Sequence, residues 1–305
     1  MSVALIVDDL TLAYPRGGGI HGVTFTAADR AVTAVIGANG AGKTVLFSVV
    51  AGLCTPQAGA VAFAIEDARV AYCPDIPQFE PWLTASEVVQ TSLALAQRAT
   101  RTSGVDATRR AAAALDACGL GAVARRRIAD FSRGMLQRLG IAAALVSDPE
   151  VLILDEPQSA LDPVGRADMR ALILAEGKNR CVLLSSHLLS EVELLADHVV
   201  VLDKGAVVAN GTPAELLRAG RRPVWTVRFN APVPAGRTLP RLEDSHVGLA
   251  REAADTVTLT FPSFAEAADR LLPCVQALGL PVLEITLRDD DLDSTFARLV
   301  GEVSA

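Results

Sequence analysis

A lysine, two threonine and serine hydroxyls, a pair of adjacent acids and a histidine are the residues here whose types and spacing suggest chemistry. Lys43 and Thr44 end the run Gly37-Ala38-Asn39-Gly40-Ala41-Gly42-Lys43-Thr44, which has the form G-x-x-x-x-G-K-T. That spacing suits a phosphate-binding loop: the glycines let the backbone curl its N–H groups inward, and a following helix adds its positive end. Lys43 is then expected to reach the β- and γ-phosphates, and the Thr44 hydroxyl to ligate Mg²⁺. A chance match in a chain this long is on the order of one percent at ordinary glycine usage, so a mere glycine-rich turn is the poorer reading. Asp155 and Glu156 form the acid pair, suited to holding a metal through its water shell and to accepting a proton from attacking water. His187 is placed to hydrogen-bond a terminal phosphate, although a lone histidine is more often structural.

Positioning these groups requires strands that deliver them to one edge. Ala31 to Ile36 is an apolar run fit for a buried parallel strand, and Lys43 to Ala51 fits a helix, so the loop falls at a strand-to-helix turn. Val151 to Leu154 is fully apolar and ends directly at Asp155-Glu156-Pro157. Cys181 to Leu184 repeats the pattern and ends at Ser185-Ser186-His187. In open α/β sheets ligands bind at the carboxyl ends of the strands, which puts loop, acids and histidine together. Asp162-Pro163 opens a helix that ends near Gly177, and Thr212 to Glu215 caps another that ends near Gly220.

Composition narrows the function classes. The chain has 305 residues, half of them hydrophobic, and a net charge of −7. Such an acidic balance argues against general affinity for nucleic acid or an anionic membrane. Cys54, Cys73, Cys118, Cys181 and Cys274 are odd in number and scattered, which suggests neither a disulfide framework nor a zinc site and fits a reducing cytosol. The amino terminus lacks a signal-peptide layout and no apolar run reaches about 18 residues, so any membrane role is expected through a partner.

The remaining segments read as scaffold with two further contact candidates. Val3 to Val7 and Val23 to Phe25 suggest strands flanking a Tyr14 to Gly19 loop; Tyr14 can offer its ring to a base or be plain surface. Val61 to Ile65 and Arg69 to Tyr72 suggest strands broken by Pro74-Asp75-Ile76-Pro77. Thr84 with Glu87 makes a capping box opening a helix to about Arg98, and Asp106 to Ala117 reads as another that ends near Gly119, together a helical insert over residues 84–147. Ser132 precedes a helix over Leu136 to Val146, where its hydroxyl either caps the helix or, with the first-turn amides, binds an anion.

The order of these motifs resembles the ATP-binding subunits of ABC transporters over residues 3–218. Tyr14 resembles the adenine-stacking aromatic and Gly37 to Val45 the Walker A region. Phe131-Ser132-Arg133-Gly134-Met135 is similar to the family signature that completes a partner's site, with Ser132, Arg133 and Gly134 as the contacts. Val151 to Glu156 resembles Walker B with its catalytic Glu156, Ser159 to Asp162 the D-loop, and His187 the switch histidine. The resemblance implies an α/β fold: a P-loop NTPase core of the RecA type, with an antiparallel β subdomain and a helical insert. It also implies ATP and Mg²⁺ as ligands, the metal held by Thr44, Asp155 and Asp75. The expected partners are a second ATP-binding subunit, most simply a second copy, and a membrane permease, with no nucleic acid. The protein is accordingly expected at the cytoplasmic face of the plasma membrane.

Two departures stand out. Many relatives carry glutamine where this chain has Asp75, in Tyr72-Cys73-Pro74-Asp75; a carboxylate can bind Mg²⁺ but lacks the amide donor. Phe-Ser-Arg-Gly-Met replaces the common Leu-Ser-Gly-Gly-Gln while keeping Ser132 and Gly134. Phe79 and Trp82 are candidate contacts for the permease, or else packing within the insert.

Residues 221–305 are expected to form a small α+β domain for docking or regulation. Its strands are Val224 to Phe229, Thr256 to Phe261 and Val282 to Leu287, with a Ser263-capped helix to Leu278 interrupted or kinked by Pro273, and a final helix from Asp290. This tail resembles those of subunits serving multidrug, antibiotic or polysaccharide exporters. The rival readings are an importer motor, and a soluble ATPase of the same family that remodels nucleic acid or ribosomes; the latter usually has two cassettes or a long coiled coil, which this chain lacks.

Overall fold

The computed structural model describes residues 2–15, 17–100, 107–219, 221–234 and 247–288, with side chains of 97–100 left aside. These residues divide into two units, one running through Leu216 and the other starting at Leu217. No helix among them is long and apolar enough to cross a membrane.

The first unit is built on a six-stranded sheet. Its strands are β3 (Val32–Ile36), β5 (Val70–Cys73), β6 (Val151–Leu154), β7 (Cys181–Ser186), β8 (His198–Asp203) and β9 (Ala206–Gly211), in the order β5-β6-β7-β3-β8-β9. All neighbours are parallel except the β8–β9 pair. Buried on both faces, β3, β6 and β7 are continuous apolar runs rather than alternating ones. Because they run the same way, their carboxyl ends deliver Gly37, Asp155 and His187 to one edge.

A second sheet, antiparallel and three-stranded, has β1 (Val3–Ala13) between β2 (Gly19–Ala28) and β4 (Ala58–Phe63). Here β1 and β2 extend well beyond the short segments expected from sequence. Their polar residues face outward while Leu5, Val7, Leu10, Ile20, Val23 and Phe25 are buried, so alternation across a half-buried sheet had masked their length. Between the two sheets lies the core around Phe47 and Leu46 of α1 (Lys43–Val50).

Helices α2 (Ala85–Thr100), α3 (Ala107–Ala117) and α4 (Arg133–Leu145) make the insert. The Thr84–Glu87 capping box forms as expected: the Thr84 N–H donates to Glu87 Oε2 at 2.7 Å and the Glu87 N–H to Thr84 Oγ1 at 3.3 Å. The bond from the Thr84 N–H, with a second from the Thr84 hydroxyl at 2.8 Å, holds the Glu87 carboxyl below its ordinary pKa. The fourth helix starts three residues earlier than expected, at Arg133, because Ser132 caps it by accepting from the Met135 N–H. Helix α5 (Pro163–Gly177) is capped by Asp162, and α6 (Leu189–Leu195) and α7 (Pro213–Ala219) follow β7 and β9.

At the opposite, amino-terminal edge of the sheet, charged side chains tie β5 to β6. Arg69 donates to Glu150 from Nη2 at 2.7 Å, and Arg180 pairs with Glu176 at 2.8 Å and Asp148 at 3.2 Å. Bonding to the Arg69 guanidinium holds the Glu150 carboxyl below its usual value. The groups are partly solvated, so the network is worth about 1 kcal/mol per pair at most.

The second unit has a four-stranded antiparallel sheet in the order β11-β12-β10-β13, from β10 (Val224–Phe229), β11 (Gly248–Arg251), β12 (Thr256–Thr260) and β13 (Val282–Leu287). Helix α8 (Phe264–Ala277), capped by Ser263, covers it with Ala267, Cys274 and Val275 against Val227, Phe229 and Leu259. Helix α8 runs on through Pro273, so of the two outcomes expected from sequence, interruption or a kink, the interruption does not occur. Burial of the apolar face on either side of the proline outweighs the lost backbone bond, which costs about 3 kcal/mol. The helix expected from Asp290 lies outside the described residues.

Candidate active site

The glycine loop leaves β3 and enters α1 with a local backbone that few side chains permit. Gly40 and Gly42 have φ of 85° and 104°, left-handed values that favour glycine. A Cβ on Gly42 would meet the Gly19 carbonyl oxygen at 2.6 Å, and one on Gly37 would strike the Leu202 carbonyl, so both are fixed by close packing. At Gly40 a Cβ would meet nothing within 4 Å, since the crest of the loop faces open space. The first N–H groups of α1 have no partner within their helix and stand at this crest.

Lys43 is buried although charged. Its Nζ donates to the Gly37 carbonyl at 2.8 Å and sits 3.7 Å from Glu156 Oε1, so the ammonium is held at the mouth of the loop. Thr44 Oγ1 donates to Asp155 Oδ2 at 2.8 Å. The loop hydroxyl and the strand-end carboxylate are thus brought together from positions 111 residues apart. Two hard oxygens at this spacing suit Mg²⁺, which takes one or two protein ligands and leaves the rest to water and phosphate.

Sequence reasoning missed the groups that hold the acids. Ser185, fully buried at the end of β7, donates to Asp155 Oδ1 at 2.5 Å and accepts the Glu156 N–H at 2.8 Å. Tyr72 OH donates to Asp155 Oδ2 at 3.3 Å. Burial first, then the Asp155 carboxylate, push the Tyr72 phenol far above its ordinary pKa, so it remains a donor. Both residues sit on apolar strands flanking β6, and only the strand order reveals that they face Asp155.

Glu156 has φ of 48°, a left-handed conformation unusual for its type. The turn aims its carboxylate across the loop: Oε2 lies 2.7 Å from His187 Nδ1 while Oε1 faces Lys43. An acid held between a histidine and a lysine at a strand end can accept a proton from water and pass it on. The strain is maintained by the Ser185 bond to its own N–H.

A cleft of about 350 Å³ opens above this arrangement, lined by Tyr14, Gly18, Gly19, residues 39–45, Asp75, Asp155 and Glu156. Tyr14 is 46 % exposed at its rim. Gly37 lies buried beneath the cleft, and Ala38 is exposed beside it. Ser132 and Arg133 are exposed at the start of α4, and these two with Gly134 do not line the cleft. Gly134 instead packs beside Leu161 and Ala160, a Cβ there lying 3.1 Å from the Leu161 side chain. A larger cavity of about 690 Å³ sits at the amino-terminal sheet edge, but the arginines that line it are already paired with carboxylates.

Comparison with known proteins agrees with this geometry. Residues 20–159 match the ABC transporter family. The bacitracin transport ATP-binding protein of Bacillus licheniformis is 29% identical over 99% of this chain and 98% of its own length. The Nod factor export ATP-binding protein I of Rhizobium meliloti is 30% identical over 98% of this chain and 89% of its own. A solved structure of the ATP-binding subunit of an ABC transporter superposes with a TM-score of 0.62 at 30% identity, covering 71% of this chain and 92% of that one. Subunits of this kind bind ATP, act as ATPases and normally work with a permease. With its phosphate loop, strand-end acids and histidine assembled at one sheet edge, the chain belongs to the ATP-binding subunits of ABC transporters.

Proposed function

We infer that the chain is the ATP-hydrolysing motor of an export system, acting on a separate membrane permease from the cytoplasmic face. The observation that carries the catalytic part is Glu156, held in its left-handed turn between Lys43 and His187. In this reading Tyr14 stacks on adenine, residues 37–45 cradle the phosphates, and Thr44, Asp155 and Asp75 hold Mg²⁺. Bound there, Mg²⁺ draws charge from the phosphate oxygens. Lys43 steadies the terminal phosphate, while Glu156 takes a proton from the attacking water and His187 fixes the carboxylate. The water oxygen then bonds to the γ-phosphorus as the bond to ADP breaks.

Ser132, Arg133 and Gly134 are assigned to the nucleotide of a second ATP-binding subunit, most simply another copy of this chain. The exposure of Ser132 and Arg133 at a helix start, with all three residues away from this chain's own cleft, supports that role. Two ATP molecules would then be enclosed between the pair. Export is supported by the full-length similarity to the Nod factor export protein, which includes the second unit. Residues 1–220 form the motor and 221–305 a docking or regulatory domain.

Phe79 lines a groove of about 310 Å³ between β5 and the insert, and Trp82, further along the same segment of chain, is 65 % exposed. A large exposed aromatic is suited to anchor a permease segment. Purifying a tagged chain from solubilised membranes is expected to recover a membrane-spanning subunit, with recovery reduced at least tenfold by Trp82→Ala. Recovery of ribosomes or nucleic acid in place of a membrane protein would refute the export assignment.

A further inference from the structure

Asp75 stands between two partners. On one side it lines the nucleotide cleft with Thr44 and Asp155. On the other its Oδ1 accepts a hydrogen bond from Ser159 Oγ at 2.7 Å. The contact follows from the sheet: β5 and β6 are parallel neighbours with Cys73 opposite Leu154, so the loops that follow them leave the same edge side by side. Ser159 is also tied to the acid pair, since its N–H donates to the Glu156 carbonyl at 3.1 Å across the turn 156–159. One carboxylate therefore restrains the segment that begins with Glu156 and continues through Leu161, against which Gly134 packs.

The Ser159 hydroxyl holds the Asp75 carboxylate through Oδ1, on the side away from the cleft. A neutral hydroxyl is a weak partner for it beside a divalent cation, whose charge it would meet at close range. Resting on the reading of the cleft as a Mg²⁺·ATP site, we propose that Asp75 is a positioning residue that exchanges Ser159 for the nucleotide-bound cation. Arrival of the cation then releases Ser159 and the segment 157–161. Ser159 acts as a built-in competitor that sets how much Mg²⁺ the site requires. An uncharged side chain at position 75 could accept the hydroxyl bond but would draw the cation far less, so the exchange depends on the carboxylate.

Two measurements on the full chain test this. The first is the Mg²⁺ concentration giving half-maximal binding of a fluorescent ATP analogue. Ser159→Ala removes the competitor and is expected to lower it about tenfold, the worth of one hydrogen bond to a charged group near the low end. Asp75→Ala raises it, and Ser159→Ala added to Asp75→Ala changes nothing further. The second is amide hydrogen exchange over 157–161 without nucleotide, where both single variants are expected to accelerate exchange alike. A Ser159→Ala effect that persists in the Asp75→Ala background, a raised Mg²⁺ requirement in Ser159→Ala, or unchanged exchange in both variants overturns the proposal. Lys43→Met serves as the control: unaltered affinity for the analogue would bring down the cleft assignment and the exchange with it, whereas weakened binding leaves any failure to the exchange alone.

Discussion

Glu156→Gln is expected to bind ATP as the unaltered chain does and to hydrolyse it 10²- to 10⁴-fold more slowly, the usual contribution of a positioned general base. The substitution is close to isosteric. It keeps the Ser185 bond to the residue-156 N–H and leaves an oxygen and an amide to face His187 and Lys43. What disappears is the basic carboxylate. Steady-state phosphate release, read beside equilibrium binding of a fluorescent nucleotide, separates the two effects. Normal turnover in this variant would remove Glu156 from the role of base, and lost binding would mean that its charge holds the loop together.

Lys43→Met should act on the other quantity. Methionine keeps an apolar stem of similar reach where the lysine is buried, so α1 and its packing around Phe47 are expected to survive. The ammonium and its bonds toward phosphate are lost, and a hydrogen bond to a charged group is worth about 1.5–3 kcal/mol. Nucleotide affinity is therefore expected to fall by roughly ten- to a hundredfold, with thermal unfolding little changed. Unaltered affinity would show that the phosphates sit elsewhere.

Much of this site was legible in the sequence because its pieces are local. A loop defined by glycines at fixed spacing, or acids at the end of an apolar run, needs no knowledge of the fold to be noticed, and Thr44 meeting Asp155 follows once both are placed at one sheet edge. The groups that hold the acids were not legible. Ser185 and Tyr72 are polar residues on otherwise apolar strands, and they meet Asp155 only because β5 and β7 flank β6. Asp75 was noticed as a departure, but its bond to Ser159 depends on the same strand order.

The fold shows a similar division. Buried strands such as β3, β6 and β7 announce themselves by unbroken hydrophobicity, and α2, α5 and α7 by caps that form as their sequences imply. Strands β8 and β9 went unread, the first an apolar run with no motif attached and the second a mostly half-exposed partner closing the sheet. Gly248–Arg251 was likewise unread, being an exposed edge strand whose pairing with β12 is what defines it.

In the proposed dimer two such subunits enclose ATP between the loop of one and the Ser132 helix start of the other. Light scattering on Glu156→Gln with Mg²⁺ and ATP tests it most directly. The expected mass is that of a dimer of the 305-residue chain, returning to monomer when ATP is withheld or when Ser132 is also replaced by arginine. A single-chain mass at saturating nucleotide, in the presence of the permease as in its absence, would contradict the account.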